Sequence, residues 1–124
     1  MDVTPLVPAN APLIKGYGDG GFTIGAKRWE GSVLILPDRI LPWTVAHFDH
    51  LTLDSLIQVF EARPLPEFLL IGAGREMRLL DASLRMDIRA KGLVSEPMDT
   101  GAACRTWNVL LTEGRQAAAA LIAV

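Results

Sequence analysis

The chain is short of the residues on which many chemistries depend: it has one cysteine, two histidines and one tyrosine in 124 positions. A lone Cys104 excludes an internal disulfide and suits a reducing compartment. An excess of positive charge is missing too. Lys and Arg number 12 against 14 Asp and Glu, a net charge of −2, so the electrostatic footprint of a nonspecific nucleic-acid or anionic-membrane binder is absent. No apolar run approaches the roughly 18 residues of a membrane span, and the best candidate, Ala117 to Val124, holds eight. Met1-Asp2-Val3-Thr4-Pro5 lacks the positive charge and apolar run of a secretory signal, and Arg- and Ser-rich transit character is missing, so a cytoplasmic location is the default expectation.

What is present is apolar content, 50% of the chain, enough for one domain to bury a core without disulfides or a structural metal. The expected layout is an extended lead-in over 1–12, carrying Pro5, Pro8 and Pro12, and a single α/β domain over 13–124. Glycines at 16, 18, 20, 21 and 25 cut residues 13–24 into short strand pieces around Ile14, Tyr17 and Phe22 to Ile24, as in a meander. Ser32 to Leu36 and Ile40 to Val45 read as further strands, with Pro42 placing the second at an edge or a bulge.

From Thr52 the apolar period changes to that of a helix, with Leu53, Leu56, Ile57 and Phe60 on one stripe, Thr52 as N-cap and Pro64 as the stop. Glu67 to Ile71 is a continuous apolar run, read as a strand covered on both faces. A helix from about Ser83 to Lys91 should end at Gly92, followed by a brief strand, Leu93 to Ser95, before Pro97. The last helix is expected from about Thr100 to Glu113, capped by Asp99 or Thr100 and stopped by Gly114, with Ala103, Trp107, Leu110 and Leu111 on its core face. Ala117 to Val124 reads as a terminal buried strand. The order is therefore a glycine-rich β half followed by αβαβαβ, with strands near Phe68, Val94 and Leu121 side by side and three helices mainly on one layer.

Chemistry concentrates in two places. Gly72-Ala73-Gly74-Arg75 follows a strand and precedes a helix, so its amides are candidates for an anion-binding nest. A dinucleotide fingerprint would need glycine where Met77 stands, and no Gly-Lys-Ser/Thr phosphate loop occurs, which leaves a tight structural turn as the bland reading. On the last helix Arg105, Asn108 and Thr112 share a face apart from the Trp107 stripe. Arg105 and Asn108 are candidates to hold a small anion or polar ligand; the alternative is that they secure neighbouring loops, because polar groups removed from water must be paired.

Cys104 near a helix N-terminus suggests a nucleophile, but neither His47 nor His50 is tied to it by a local motif, and a buried core thiol is the ordinary reading. His47-Phe48-Asp49-His50 lacks a His-Glu-x-x-His pattern or a Cys pair, so a polar loop stands against a metal site. Carboxylates are scattered, the serines lack a nucleophile-elbow context, and no cofactor or acid/base enzyme is legible.

The segments Met98-Asp99-Thr100, Ala103 to Leu110 and Glu113-Gly114-Arg115 resemble the hallmark of a small domain family of largely unknown activity that includes mitochondrial complex I assembly factor three. Tyr17-Gly18 through Phe22, Gly31 to Ile35 and Leu70 to Gly74 resemble its glycine-punctuated opening and its central strand and turn. Trp107 stands where the family commonly has tyrosine. The resemblance covers roughly residues 13 to 123 and implies a three-layer α/β fold with mixed β-structure and no accepted catalytic residues. It implies a protein-binding or assembly role with a protein partner it does not identify, and says nothing of oligomeric state. The runner-up is a small-anion or metabolite-binding domain, or an enzyme, using the Gly72 to Arg75 turn with Arg105 and Asn108.

Overall fold

A computed structural model describes residues 11–124; Pro5 and Pro8 of the expected lead-in lie outside the described residues. The glycine-rich half forms a three-stranded antiparallel sheet of β1 (Ile14–Gly18), β2 (Gly21–Ile24) and β3 (Lys27–Glu30). Asp19 and Gly20 join β1 to β2 with φ of 52° and 78°, the backbone of a two-residue hairpin turn whose twist matches its strands. The pieces expected around Ile14 and Tyr17 form one strand, β1, and the meander has a third strand, β3, where the sequence pattern indicated none. Lys27-Arg28-Trp29-Glu30 pairs with β2 from Ile24↔Lys27 to Gly21↔Glu30 without supplying an apolar run.

The second sheet has five strands in the order β5-β4-β8-β6-β7, with β4 (Val33–Ile35), β5 (Ile40–Pro42), β6 (Phe68–Gly72), β7 (Val94–Met98) and β8 (Ala117–Leu121). β6 runs parallel to both β7 and β8, whereas β4 is antiparallel to β5 and β8, so the sheet is mixed. Pro42 lies in edge strand β5, as expected. β7 runs on through Pro97 instead of stopping before it. The Val94 amide and the Met98 carbonyl point inward, toward Glu67 and Ala73, so by alternation Pro97 turns its missing donor to the free edge, where no ladder bond is lost.

Right-handed crossovers explain a correction to the expected layering. The chain goes from β6 through α2 (Ala82–Ala90) to β7, then back over β6 through α3 (Thr100–Thr112) to β8. Reversing direction while keeping the same hand puts the two helices on opposite faces, not one layer. Alternation along β6 records this: Leu69 and Ile71 pack with Ile88 of α2, while Leu70 packs with Ala103, Cys104 and Trp107 of α3 and with Ile14, Phe22 and Ile24 of the small sheet. Three layers result: α1 (Ile57–Glu61) and α2, the mixed sheet, and α3 with the small sheet.

Two local details also differ from the periodic reading. The helix after Thr52 begins with a 3-10 turn, Asp54–Leu56, and buries Leu56 and Val59 while leaving Ile57 49% exposed, because the tighter first turn rotates the apolar face. Thr52 still acts at its start: its Oγ1 accepts from the Ser55 amide at 3.1 Å, and Ser55 Oγ accepts from the Thr52 amide at 3.1 Å. Central strand β8 is four alanines and a leucine, all buried, since a strand squeezed between α3 and the opposite core needs small side chains more than β-propensity.

Candidate functional site

α3 is positioned by Asp99, whose Oδ1 accepts from the Ala102 amide at 2.9 Å, and its inner side buries Thr100, Ala103, Cys104 and Trp107. Its polar side chains are engaged with the protein's own chain. Asn108 Oδ1 accepts from the Ile14 amide at 2.8 Å and its Nδ2 donates to the Ile14 carbonyl at 2.9 Å, so the side-chain amide stands in for a neighbouring strand at the edge of β1. Trp107 Nε1 donates to the Pro12 carbonyl at 2.8 Å, and Arg105 donates to the Tyr17 hydroxyl at 3.0 Å. Thr112 Oγ1 bonds back to the Asn108 and Val109 carbonyls.

Cys104 is 2% exposed, and its thiol is pushed up to about 12, chiefly because burial penalises the thiolate; Arg105 lowers it and Asp99 raises it. A neutral thiol at physiological pH is a poor nucleophile. No buried side-chain nitrogen or oxygen among the described residues lacks a hydrogen-bond partner.

The Gly72 to Arg75 turn sits elsewhere. Gly74 N donates to Thr100 Oγ1 at 3.0 Å, the Thr100 amide donates back to Gly74 O at 2.8 Å, and the Thr100 hydroxyl donates to Ile122 O at 2.7 Å. Beyond this knot, at the carboxyl ends of β6 and β8, opens a cavity of about 540 Å³ lined by Gly74, Arg75, Glu76, His47 and Asp49 among others. The structure thus brings Gly74 and Arg75 to a cavity, whereas Arg105 and Asn108 do not line it, and Gly72 is buried in β6.

Sequence reading missed the cavity's other wall, the 3-10 turn Phe48–His50, because nothing local links it to Gly74. Arg78 spans the opening: its guanidinium bonds Asp49 Oδ1 at 2.9 Å and lies 4.9 Å from the centre of the Phe48 ring. On the far side of this bridge a second recess of about 370 Å³ is walled by Phe48, Leu51, Leu79, Leu80 and Leu84. The rings of His47 and His50 meet edge-on at 5.8 Å.

The architecture recurs in known proteins. A crystal structure from Bartonella henselae, described as an outer membrane protein, matches with a TM-score of 0.85 and 39% identity over 95% of this chain and 98% of that one. Among curated relatives, NADH dehydrogenase [ubiquinone] 1 alpha subcomplex assembly factor 3 of Xenopus tropicalis is 36% identical over 110 residues, 89% of this chain and 60% of its own length. An uncharacterised Rhodobacter capsulatus protein is 36% identical over 92% of this chain and 86% of its own length. The chain spans about three fifths of the length of the assembly factors it matches. No helix among the described residues is long and apolar enough to cross a membrane. Residues 14–122 match the family described as protein of unknown function (DUF498/DUF598), and with that coverage the chain belongs to this family.

Proposed function

We propose that this chain is an assembly factor that works without catalysis, by holding another protein through its surface. The observation that carries this reading is the engagement of the α3 side chains: Arg105 with Tyr17, Asn108 with both backbone groups of Ile14, and Thr100 with Gly74 and Ile122. The helix that resembles the family hallmark therefore serves as a frame, and relatives named as assembly factors match 89–92% of the chain at 33–36% identity. Co-purification of the tagged full chain at native expression tests it. A reproducible protein partner at near-equal amounts is expected; recovery of the chain alone, from both membrane and soluble fractions, would overturn it.

A second reading has one specific observation in its favour, the cavity of about 540 Å³ with Gly74 and Arg75 in its wall, a volume in the range of small-molecule sites. In this reading Arg75 takes a small anion or acidic metabolite, without Arg105 or Asn108. Thermal-shift screening of phosphate, nucleotides and carboxylates on wild type and Arg75→Ala checks it. Stabilisation lost in the variant supports it, and identical curves across the set refute it.

A further inference from the structure

Among the described residues, the backbone of 75–80 takes no part in the hydrogen bonding of the fold. Every neighbouring segment is accounted for: the Ala73 and Gly74 amides are bonded, Thr100 takes the Gly74 carbonyl, and the Asp81 carbonyl accepts from Arg85. Between them, no amide or carbonyl of Arg75 to Leu80 has a partner among the described residues. The chain bends over 74–76, and Met77 to Leu80 is neither helix nor turn. Such a segment offers the same unpaired groups as a free sheet edge. Its side chains are as unusual as its backbone. Met77 is 53% and Leu79 76% exposed, and Arg75 forms no ion pair among the described residues. It also lies along two recesses: Arg75 and Glu76 wall the polar cavity of about 540 Å³, and Leu79 and Leu80 wall the apolar one of about 370 Å³.

Building on the protein-holding role proposed above, we infer that Arg75 to Leu80 is a docking strand for an extended segment of another protein, which pairs with its main chain, seats an apolar side chain against Leu79 and Leu84, and sets a carboxylate against Arg75. Main-chain pairing supplies affinity in strand addition, and pockets for alternate side chains supply selectivity. An extended peptide is favoured over a small ligand because the free groups run along the chain instead of converging on one point. It is favoured over a membrane surface because both recesses are concave. Glu76, on the same wall as Arg75, disfavours a second peptide carboxylate at that end of the cavity.

Hydrogen exchange on the complex of the full chain with the protein that co-purifies with it is the decisive experiment. Amides of residues 76–80 are expected to slow at least ten-fold on binding, and Leu79→Asp and Arg75→Glu to weaken the complex at least ten-fold with an unchanged melting temperature. Protection confined to other surfaces, with both variants binding normally, would overturn the docking strand and leave the assembly role standing; recovery of no partner would sink both. Slowing of the same amides by phosphatidylglycerol vesicles alone, with none in the protein complex, would reassign the surface to lipid and also overturn the proposal.

Discussion

Removing the Asn108 side chain is the sharpest test of the idea that α3 is a frame. Its amide makes two hydrogen bonds, at 2.8 Å and 2.9 Å, to a residue 94 positions away that is itself 6% exposed. Each bond contributes about 1 kcal/mol net, and an amide or carbonyl left unpaired out of water costs about 1–3 kcal/mol. Water reaches this partly buried site in the truncated variant, so Asn108→Ala is expected to lose about 2–4 kcal/mol. At about 4 °C per kcal/mol for a chain of this size, the melting temperature falls by about 10 °C. The loss is directional. Exchange of the Ile14 amide, read by NMR, should accelerate far more than exchange in β6 or β8, because Ile14 loses the partner of both its backbone groups on that edge of β1.

Asn108→Asp sharpens the argument further. A carboxylate still accepts from the Ile14 amide but faces the Ile14 carbonyl, whereas a protonated carboxyl donates there, so folding raises its pKa. The penalty is full above the folded pKa and fades as the pH falls through it toward the unfolded value. Arg105→Ala, with its bond to the exposed Tyr17 hydroxyl, is the control and should change stability by less than about 0.5 kcal/mol. An Asn108→Ala protein that melts within about 2 °C of wild type with Ile14 still protected would refute the frame.

Three further outcomes follow from single contacts. Thr100→Val removes a buried hydroxyl that donates to Ile122 O and accepts from Gly74 N, and should cost about 2–3 kcal/mol in urea unfolding, with Thr100→Ser recovering most of it. Gly101 has no side chain because Tyr17 lies over it: an added Cβ would stand 2.6 Å from the phenol oxygen. Gly101→Ala should therefore displace the exposed Tyr17 ring and stabilise wild type less than it stabilises a Tyr17→Ala background, where it adds about 0.5–1 kcal/mol of helix propensity, a difference that calorimetry can read. Cys104 should resist alkylating reagents in the native state at pH 8 and react at the unfolding-limited rate. Its folded pKa of about 12 lies above the unfolded value, so the unfolded state releases the proton first, and this residue's contribution to stability declines as the pH rises above about 9, by at most about 1.4 kcal/mol per unit.

Legibility in the sequence tracked how local each cue was. α3 could be read almost to the residue because a capping Asp99, a helical apolar stripe and Gly114 agree within one short segment. β3 could not, since Lys27 to Glu30 takes its strand character from β2 and offers no apolar pattern of its own. For Asn108 and Arg105 the sequence shows both a ligand-holding and a loop-securing role, while the contacts they make span 94 and 88 residues, for which no local pattern exists. The Gly72 to Arg75 turn announced itself through its glycines, while its companions His47 to Asp49 come from a different connection and meet it only when β8 is inserted between β4 and β6.

That insertion also explains where the accessible surface lies. Reversal of the chain at β7 makes the carboxyl ends of β6 and β7 a topological switch point, the position at which open α/β sheets form a ligand crevice. Here the crevice is closed from within. The Ala73 amide bonds Met98 O at 2.8 Å, the Gly74 and Thr100 backbones and the Thr100 hydroxyl interlock, and the same hydroxyl reaches Ile122 O on the β8 side. Opening it would break four hydrogen bonds around a fully buried threonine, several kcal/mol before any ligand contact is made. The open space is displaced instead toward β8 and the Phe48 turn, where Arg75 and Glu76 border it and the backbone of 75–80 has no hydrogen-bond partner among the described residues. With that crevice sealed by the protein's own main chain, and with the backbone groups of 75–80 left without a partner among the described residues, the docking strand proposed above lies beside the switch point rather than in it.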